Sequence, residues 1–404
     1  MRLTSLTLSL SVLAPAVLAP AVLAAAEPEF TTLQLTDAFY CEGAALGDFN
    51  KDGHGDVVSG PFLYYGPTFV MRSEMYPPVS HDPHAYSKSF LQFAYDVNAD
   101  EWPDVVEIGF PGEATVWYVN PAGKRSTLVD DTRGHWDRHV ALAVTDNESP
   151  GFADITGDDR PELIAQTDGK FGYATFDPAD PTQPWAFHAI SPKGERGRFT
   201  HGLGIGDLNG DGRQDFLEKT GWWEQPADLA GDPEWKHHPQ AFAGNAAQMY
   251  VYDVNDDGLN DVITALEAHG WGLAWYEQTR GGDAVGFKQH VIMGNRGHEN
   301  PKGVSFSQLH AIDLVDMNAD GLKDIVTGKR FWAHGPKGDA DPESPPVLYY
   351  FQLVRDGSDV RFDPVLIHDA SGVGTQVMAG DINGDNKPDV VVGNKLGTFV
   401  SIQK

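Results

Sequence analysis

The chain has one cysteine, Cys41, in 404 residues, so no internal disulfide can form and stability must come from elsewhere. Bases are equally thin: 29 Lys and Arg face 58 acids, and a formal charge of −29 repels nucleic acid and anionic membranes. Beyond residue 26 no stretch approaches the ~20 continuous apolar residues of a spanning helix. Neither Gly-x-Ser-x-Gly nor His-Glu-x-x-His occurs. With Cys41 lone as well, a nucleophilic enzyme and a helix-borne zinc motif are both disfavoured.

What is present begins with residues 1–26. Arg2 supplies a positive start, residues 3–24 are apolar and small, and Ala24-Ala25-Ala26 precedes Glu27. This order reads as a secretory signal peptide and predicts a secreted or periplasmic product. The whole chain is 41% hydrophobic with 10 Trp, and the segment 27–404 carries enough of these to build a sizeable core.

The acids are not spread evenly. One motif recurs seven times at intervals of 46 to 65 residues. Its acids and third-position residues are Asp48, Asn50, Asp52 and Asp56; Asp96, Asn98, Asp100 and Asp104; Asp154, Thr156, Asp158 and Glu162; and Asp207, Asn209, Asp211 and Asp215. They continue as Asp253, Asn255, Asp257 and Asp261; Asp316, Asn318, Asp320 and Asp324; and Asp381, Asn383, Asp385 and Asp389. In a tight turn, side chains one, three and five converge, the carbonyl of seven joins them, and a carboxylate at nine closes the far side. That is an all-oxygen cage of the kind Ca²⁺ prefers, so up to seven structural Ca²⁺ sites are expected. Gly53, Gly212, Gly258 and Gly321 provide the left-handed sixth position, Asn386 tolerates it, and Glu101 and Asp159 suit it less well. The third loop should be the weakest. An EF-hand is excluded, because it needs Glu at position twelve and flanking helices, whereas Val57-Val58, Val262-Ile263 and Val390-Val391-Val392 follow here.

These repeats resemble the FG-GAP/VCBS family, whose propellers include the integrin α head. The resemblance implies an all-β, seven-bladed β-propeller over 27–404 with a calcium-binding hairpin loop in each blade. Intervals near fifty residues suit four short strands and their turns. The last repeat lacks an outer strand, and Phe30–Leu35 precedes the first one unpaired, so this N-terminal strand is predicted to close the ring.

Within a repeat, a recurrent residue is structural and a singular one needs a reason. His139, His188, His238 and His290 recur in aromatic-x-x-His outer strands and read as packing. His201 and His310 do not recur; each lies six residues before its loop, where other repeats hold Glu42, Phe90, Glu148, Ala247 and Thr375. The family's geometry places these inner-strand starts, with Gln248 and Gln376, around a funnel opposite the calcium loops. Gly202, Gly204 and Gly206 are expected to leave room beside His201. Loops on the same face add His81, His84, Lys88, His269, Trp271, His298, Lys329, Arg330 and His334.

Two readings follow. In the first, the funnel is the site of a sugar lyase or dehydratase acting by β-elimination. His201 or His310 is the base, Lys329 and Arg330 hold the oxyanion, and His269 or His298 helps to bind substrate or a further divalent metal. Glu42, His81, His84, Lys88, Glu148, Gln248, Trp271, His298 and Gln376 then contact a small sugar or oligosaccharide. The stretches RFTHGLGIGD and SFSQLHAIDLVDMNADG resemble the propeller of the aldos-2-ulose dehydratase group, which implies a keto-sugar or uronide substrate. In the second, the propeller only binds carbohydrate or a protein partner. Neither reading involves membrane insertion or nucleic acid.

Overall fold

In a computed structural model, residues 28–122, 134–281, 284–357 and 359–404 are described; the apolar stretch 1–26 lies outside them. The fold is all-β, with curled antiparallel sheets and one short 3₁₀ turn at Pro301–Gly303. Among the described residues no helix is long and apolar enough to cross a membrane.

The strand that follows each acid loop is the most buried. Asp56–Ser59, Asp104–Gly109, Asp261–Ala265, Asp324–Gly328 and Asp389–Asn394 are buried at every position. Their unbroken Val/Ile runs have no polar face, as required of strands covered on both sides. The leading Asp is buried with them because its carboxylate is consumed by backbone. In six loops one ninth-position oxygen accepts the second-position N–H at 2.9–3.1 Å. The other oxygen accepts an N–H near the third strand at 2.7–3.0 Å. This acid therefore clasps each hairpin, a task that sequence reading had given wholly to metal.

Five hydrogen-bonded sheets result among the described residues. One contains Ala45–Gly47, Asp56–Ser59, Phe62–Tyr64 and Arg72–Glu74, and another Ile312–Val315, Asp324–Gly328, Leu348–Asp356 and Asp359–His368. A seven-stranded sheet spans residues 89–189, joined by the 17-residue strand Asp137–Ala153, which pairs with Glu113–Val119 and then with Glu162–Thr167. An eight-stranded sheet spans residues 203–293, where Gly204 and Ile205 run parallel to Met249 and Tyr250. The glycines there serve this close approach: a Cβ on Gly204 would lie 1.9 Å from the Met249 carbonyl oxygen, and one on Gly206 would lie 2.3 Å from Val251 Cβ. They do not make room for a ligand beside His201, as their position in the sequence had implied.

The final sheet joins the two ends of the described chain. Phe30–Thr36 pairs antiparallel with Gly397–Gln403, outside Asp389–Asn394 and Val377–Gly380. The Gly55 N–H also donates to the Ile382 carbonyl at 2.9 Å, and Ala44, Val57 and Phe62 share a core cluster with Ile382, Val391 and Val400.

Candidate functional site: a histidine cleft

His201 precedes the strand Leu203–Gly206 and Asp207 follows it, so imidazole and acid loop lie at opposite ends of one strand. His310 stands likewise before Ile312–Val315. His269 follows Asp261–Ala265, and His334 with Asp339 follows Asp324–Gly328. These separate stretches bring four imidazoles together. Ring centroids are 4.9 Å apart for His201–His269, 5.6 Å for His201–His310, 4.5 Å for His269–His310 and 4.4 Å for His269–His334.

One ligand nitrogen each from His201, His269 and His310 falls within a 4.8 Å group. His201 and His310 are 4% and 2% exposed. Both nitrogens of His201, Nδ1 of His269 and Nε2 of His310 are buried without a well-formed hydrogen bond. Two of these, His201 Nε2 and His269 Nδ1, face carboxylates at 3.5 and 3.3 Å, which leaves His201 Nδ1 and His310 Nε2 unpartnered. Buried imidazoles are ordinarily satisfied, so such nitrogens fit a cation that takes nitrogen ligands. Burial, then the charge of Arg330 and the neighbouring imidazoles, holds His310 well below the usual histidine range, in its neutral, ligating form.

Carboxylates set the surroundings. Arg330, 1% exposed, is pinned between Glu42 Oε2 at 2.9 Å and Glu148 Oε2 at 3.5 Å, and Glu148 lies 3.5 Å from His201 Nε2. Burial alone would raise the Glu148 carboxyl, but His201, Arg330 and His269 outweigh it and bring it to about 2. Asp339, its side chain 2% exposed, faces Nδ1 of His334 at 2.7 Å and Nδ1 of His269 at 3.3 Å. Its carboxyl is likewise raised by burial, yet both imidazoles pull it well below the carboxylate range. Carboxylates on the far side of imidazoles fix the rings' orientation.

Above the histidines opens a cleft of about 430 Å³, walled by Tyr86, Phe110, Phe199, Glu148 and Asn245 together with His201, His269 and His334. Phe110 packs edge-on against Phe199, which remains 53% exposed. An apolar wall opposite a few convergent polar groups is the usual form of a small-ligand site.

The structure thus unites His201, His269, His310, Arg330, Glu42 and Glu148, and it revises several roles. Arg330 and Glu42 are sealed against each other, and Lys329 is fully buried with Nζ 3.3 Å from Ser307 Oγ, so neither base is presented to a substrate oxyanion and Glu42 is not presented to a sugar. Burial lowers Lys329 to about 8. Gln248 and Gln376 do face the inner strands, but their amides are spent on backbone: Gln248 on Thr375 and Ile312, Gln376 on Gln92. His84 packs against Trp332 and pairs with Asp82; Trp271 meets Arg296, and His298 crowds Gly294. His81 and Lys88 line a different cleft. Asp339 escaped sequence reading because it lies among several acids in a long loop; its distance of five residues from His334 was the available signal.

At the opposite end, all seven loops turn through left-handed residues at position six, including Glu101 (φ 71°), Asp159 (φ 67°) and Asn386 (φ 65°). Position four is left-handed too, at Lys51, Ala99, Gly157, Gly210, Asp256, Ala319 and Gly384. First-position carboxylates accept N–H groups from positions five and six, as Asp48 does from Asp52 and Gly53, which closes the turn around the first side chain. The oxygen-only donor set fits a hard cation. Among the described residues, the third loop, ranked weakest from its sequence, is the one whose acids, Asp154, Asp158 and Glu162, gather within 4.8 Å. Glu162 is a methylene longer than Asp and reaches Thr156 Oγ1 at 3.2 Å.

Residues 373–401 match the FG-GAP repeat model. No curated protein matches the chain in sequence. Among solved structures, the chain is similar to the exotype rhamnogalacturonan lyase YesX, with 11% identity over 92% of this chain and 72% of that one and a TM-score of 0.47. It is also similar to YCF48 from Cyanidioschyzon merolae (11% identity, 91% and 98% covered, TM-score 0.46). A third is the V. cholerae biofilm matrix protein Bap1 (10% identity, 90% and 88% covered, TM-score 0.43). Likeness at this level bears on neither substrate nor activity.

Proposed function

We propose that residues 27–404 form one exported, calcium-stabilised, seven-bladed β-propeller whose histidine cleft is a carbon–oxygen lyase site for a keto-sugar or uronide. The seven-fold reading draws on strand pairing. Dividing Asp137–Ala153 where its partner changes, near Thr145 and Asp146, and separating the two-residue parallel contact at Gly204 leaves seven four-stranded units. Each unit carries one acid loop.

The observation that carries the catalytic reading is the convergence of His201, His269 and His310, singular among the repeats, with His201 Nδ1 and His310 Nε2 buried and unpartnered. These three would hold a divalent metal, which supplies Lewis-acid polarisation of a substrate carbonyl when bound. Glu148, steadied by Arg330, orients His201, and Asp339 orients His269. The base is then His334 rather than His201 or His310, because it lines the cleft and its side chain is 49% exposed. Asp339 holds its Nδ1, which leaves Nε2 to take the proton next to the carbonyl. The β carbon–oxygen bond breaks as the double bond forms. The same proton, returned to the departing oxygen, completes loss of water from a keto-sugar or scission of a uronide. Tyr86, Phe110 and Phe199 offer apolar faces for the sugar ring.

The test is incubation of zinc-reconstituted protein with a panel of keto-sugars and oligouronides, followed by ultraviolet absorbance of the unsaturated product. Turnover lost in His334→Ala, with binding retained, is the expected result. Sugar binding without turnover by the unaltered protein would instead indicate a non-catalytic carbohydrate-binding propeller.

A further inference from the structure

A second cleft, of about 420 Å³, opens between the sheet of residues 45–74 and the strands of residues 89–119. Glu107, 7% exposed, reaches it from the end of the buried strand Asp104–Gly109. Its Oε2 accepts the Tyr76 hydroxyl at 2.7 Å, and the Tyr118 hydroxyl lies 3.5 Å from Oε1. The two tyrosine rings are stacked at 4.9 Å and 22°. Lys88, Arg138 and His81 stand around the mouth, and Lys88 has no ion-pair partner among the described residues.

The repeat itself shows that this is not a scaffold device. Three residues past the ninth loop position, the other units carry Ser59, Ala165, Glu218, Thr264, Thr327 and Val392. Glu218 alone shares the carboxyl, and it is occupied by Thr220 and lies near His237. A tyrosine pair over a buried carboxyl, beside exposed bases in a chain of net charge −29, is singular here. Glu107 Oε2 also accepts Gln92 Nε2 at 3.0 Å, Glu113 joins the lining, and Arg138 faces Glu107, so Lys88 is the base without an ion-pair partner among the described residues.

We infer that this cleft is a second ligand site, for a sugar acid whose carboxylate meets Lys88 and Arg138 and whose hydroxyls meet Glu107 and the tyrosine pair. Ammonium and guanidinium groups bind carboxylates by charge-assisted hydrogen bonds, and neutral sugars lack that contact. The site is independent of the histidine cleft and of any catalysis there.

Isothermal titration of the whole protein with D-galacturonate tests it. The expected result is saturable binding that persists in His201→Ala and, in that background, is weakened about tenfold or more by Lys88→Ala/Arg138→Ala and is weaker for D-galactose than for the acid. Both substituted side chains are exposed, so an unchanged melting temperature will show the double variant to be folded. Binding by His201→Ala that survives the added Lys88→Ala/Arg138→Ala, binding that disappears in His201→Ala, or no binding by the unaltered protein would each overturn the assignment.

Discussion

At the scale of single residues the molecule holds a buried guanidinium between two carboxylates. Arg330 lies between Glu42 and Glu148, and removing it leaves Glu42 buried with no other ion pair among the described residues and Glu148 with His201 alone. Breaking a buried pair from one side costs about 3–5 kcal/mol. Arg330→Leu should therefore lose about that much in urea unfolding, while Glu42→Gln/Arg330→Leu should recover part of it. A loss under about 1 kcal/mol would mean that water reaches the cluster. The singular histidines were legible in the sequence because a repeat protein supplies its own background, and His201 and His310 departed from it. Arg330's role was not legible: a base next to histidines reads as a substrate contact, and only its burial by Glu42 shows otherwise. Gln248 and Gln376 were misread for a similar reason, since a polar residue at an inner strand can serve backbone as well as ligand.

Among the elements, the outer strands share a device of their own. His238 stacks on Trp222 at 4.0 Å and 6° and bonds Glu224 at 2.7 Å, which Lys236 also contacts; His290, Trp275, Glu277 and Lys288 repeat the arrangement. The histidine bond, more than the lysine, holds both carboxyls below their ordinary value of 4.5. A depressed folded pKa gives stability that is present above the ordinary value and is lost as pH falls through the depressed one. Glu224→Gln/Glu277→Gln should thus cost about 1 kcal/mol in total at pH 7 and close to nothing at about pH 3, by urea unfolding at both. A deficit equal at the two pH values would assign the effect to packing. The closing strand is the other element with a clear test. Phe30–Thr36 covers Gly397–Gln403, whose Phe399 and Val400 are 5% and 0% exposed. Deleting residues 28–36 forfeits about six backbone pairings and bares that edge, so the loss should be about 5 kcal/mol or more. Adding the same segment as a peptide should restore part of it. This closure was readable beforehand, because the count of strands in the last repeat came up one short.

Across the whole molecule, the proposed cations of two kinds lie apart by the length of the inner strands. Oxygen-rich loops that would hold hard cations repeat at one end, and the histidine group that would hold a nitrogen-ligated one lies at the other. Seven loops each crowd acids into one turn, and a ligand bound only by the folded state stabilises it by mass action. EDTA should lower the melting temperature by on the order of 10 °C, and Ca²⁺ rather than Mg²⁺ should restore it. The loops announce themselves through spacing alone, while the histidine cleft depends on which loops the fold carries to one face, which spacing does not encode. The most direct measurement of this two-ended arrangement is elemental analysis by inductively coupled plasma mass spectrometry after dialysis against Zn²⁺ and Ca²⁺. The unaltered protein should retain one zinc and several calcium ions per chain, and His201→Ala/His310→Ala should lose the zinc while keeping its calcium. Zinc retained by that variant, or absent from the unaltered protein, would contradict the histidine centre.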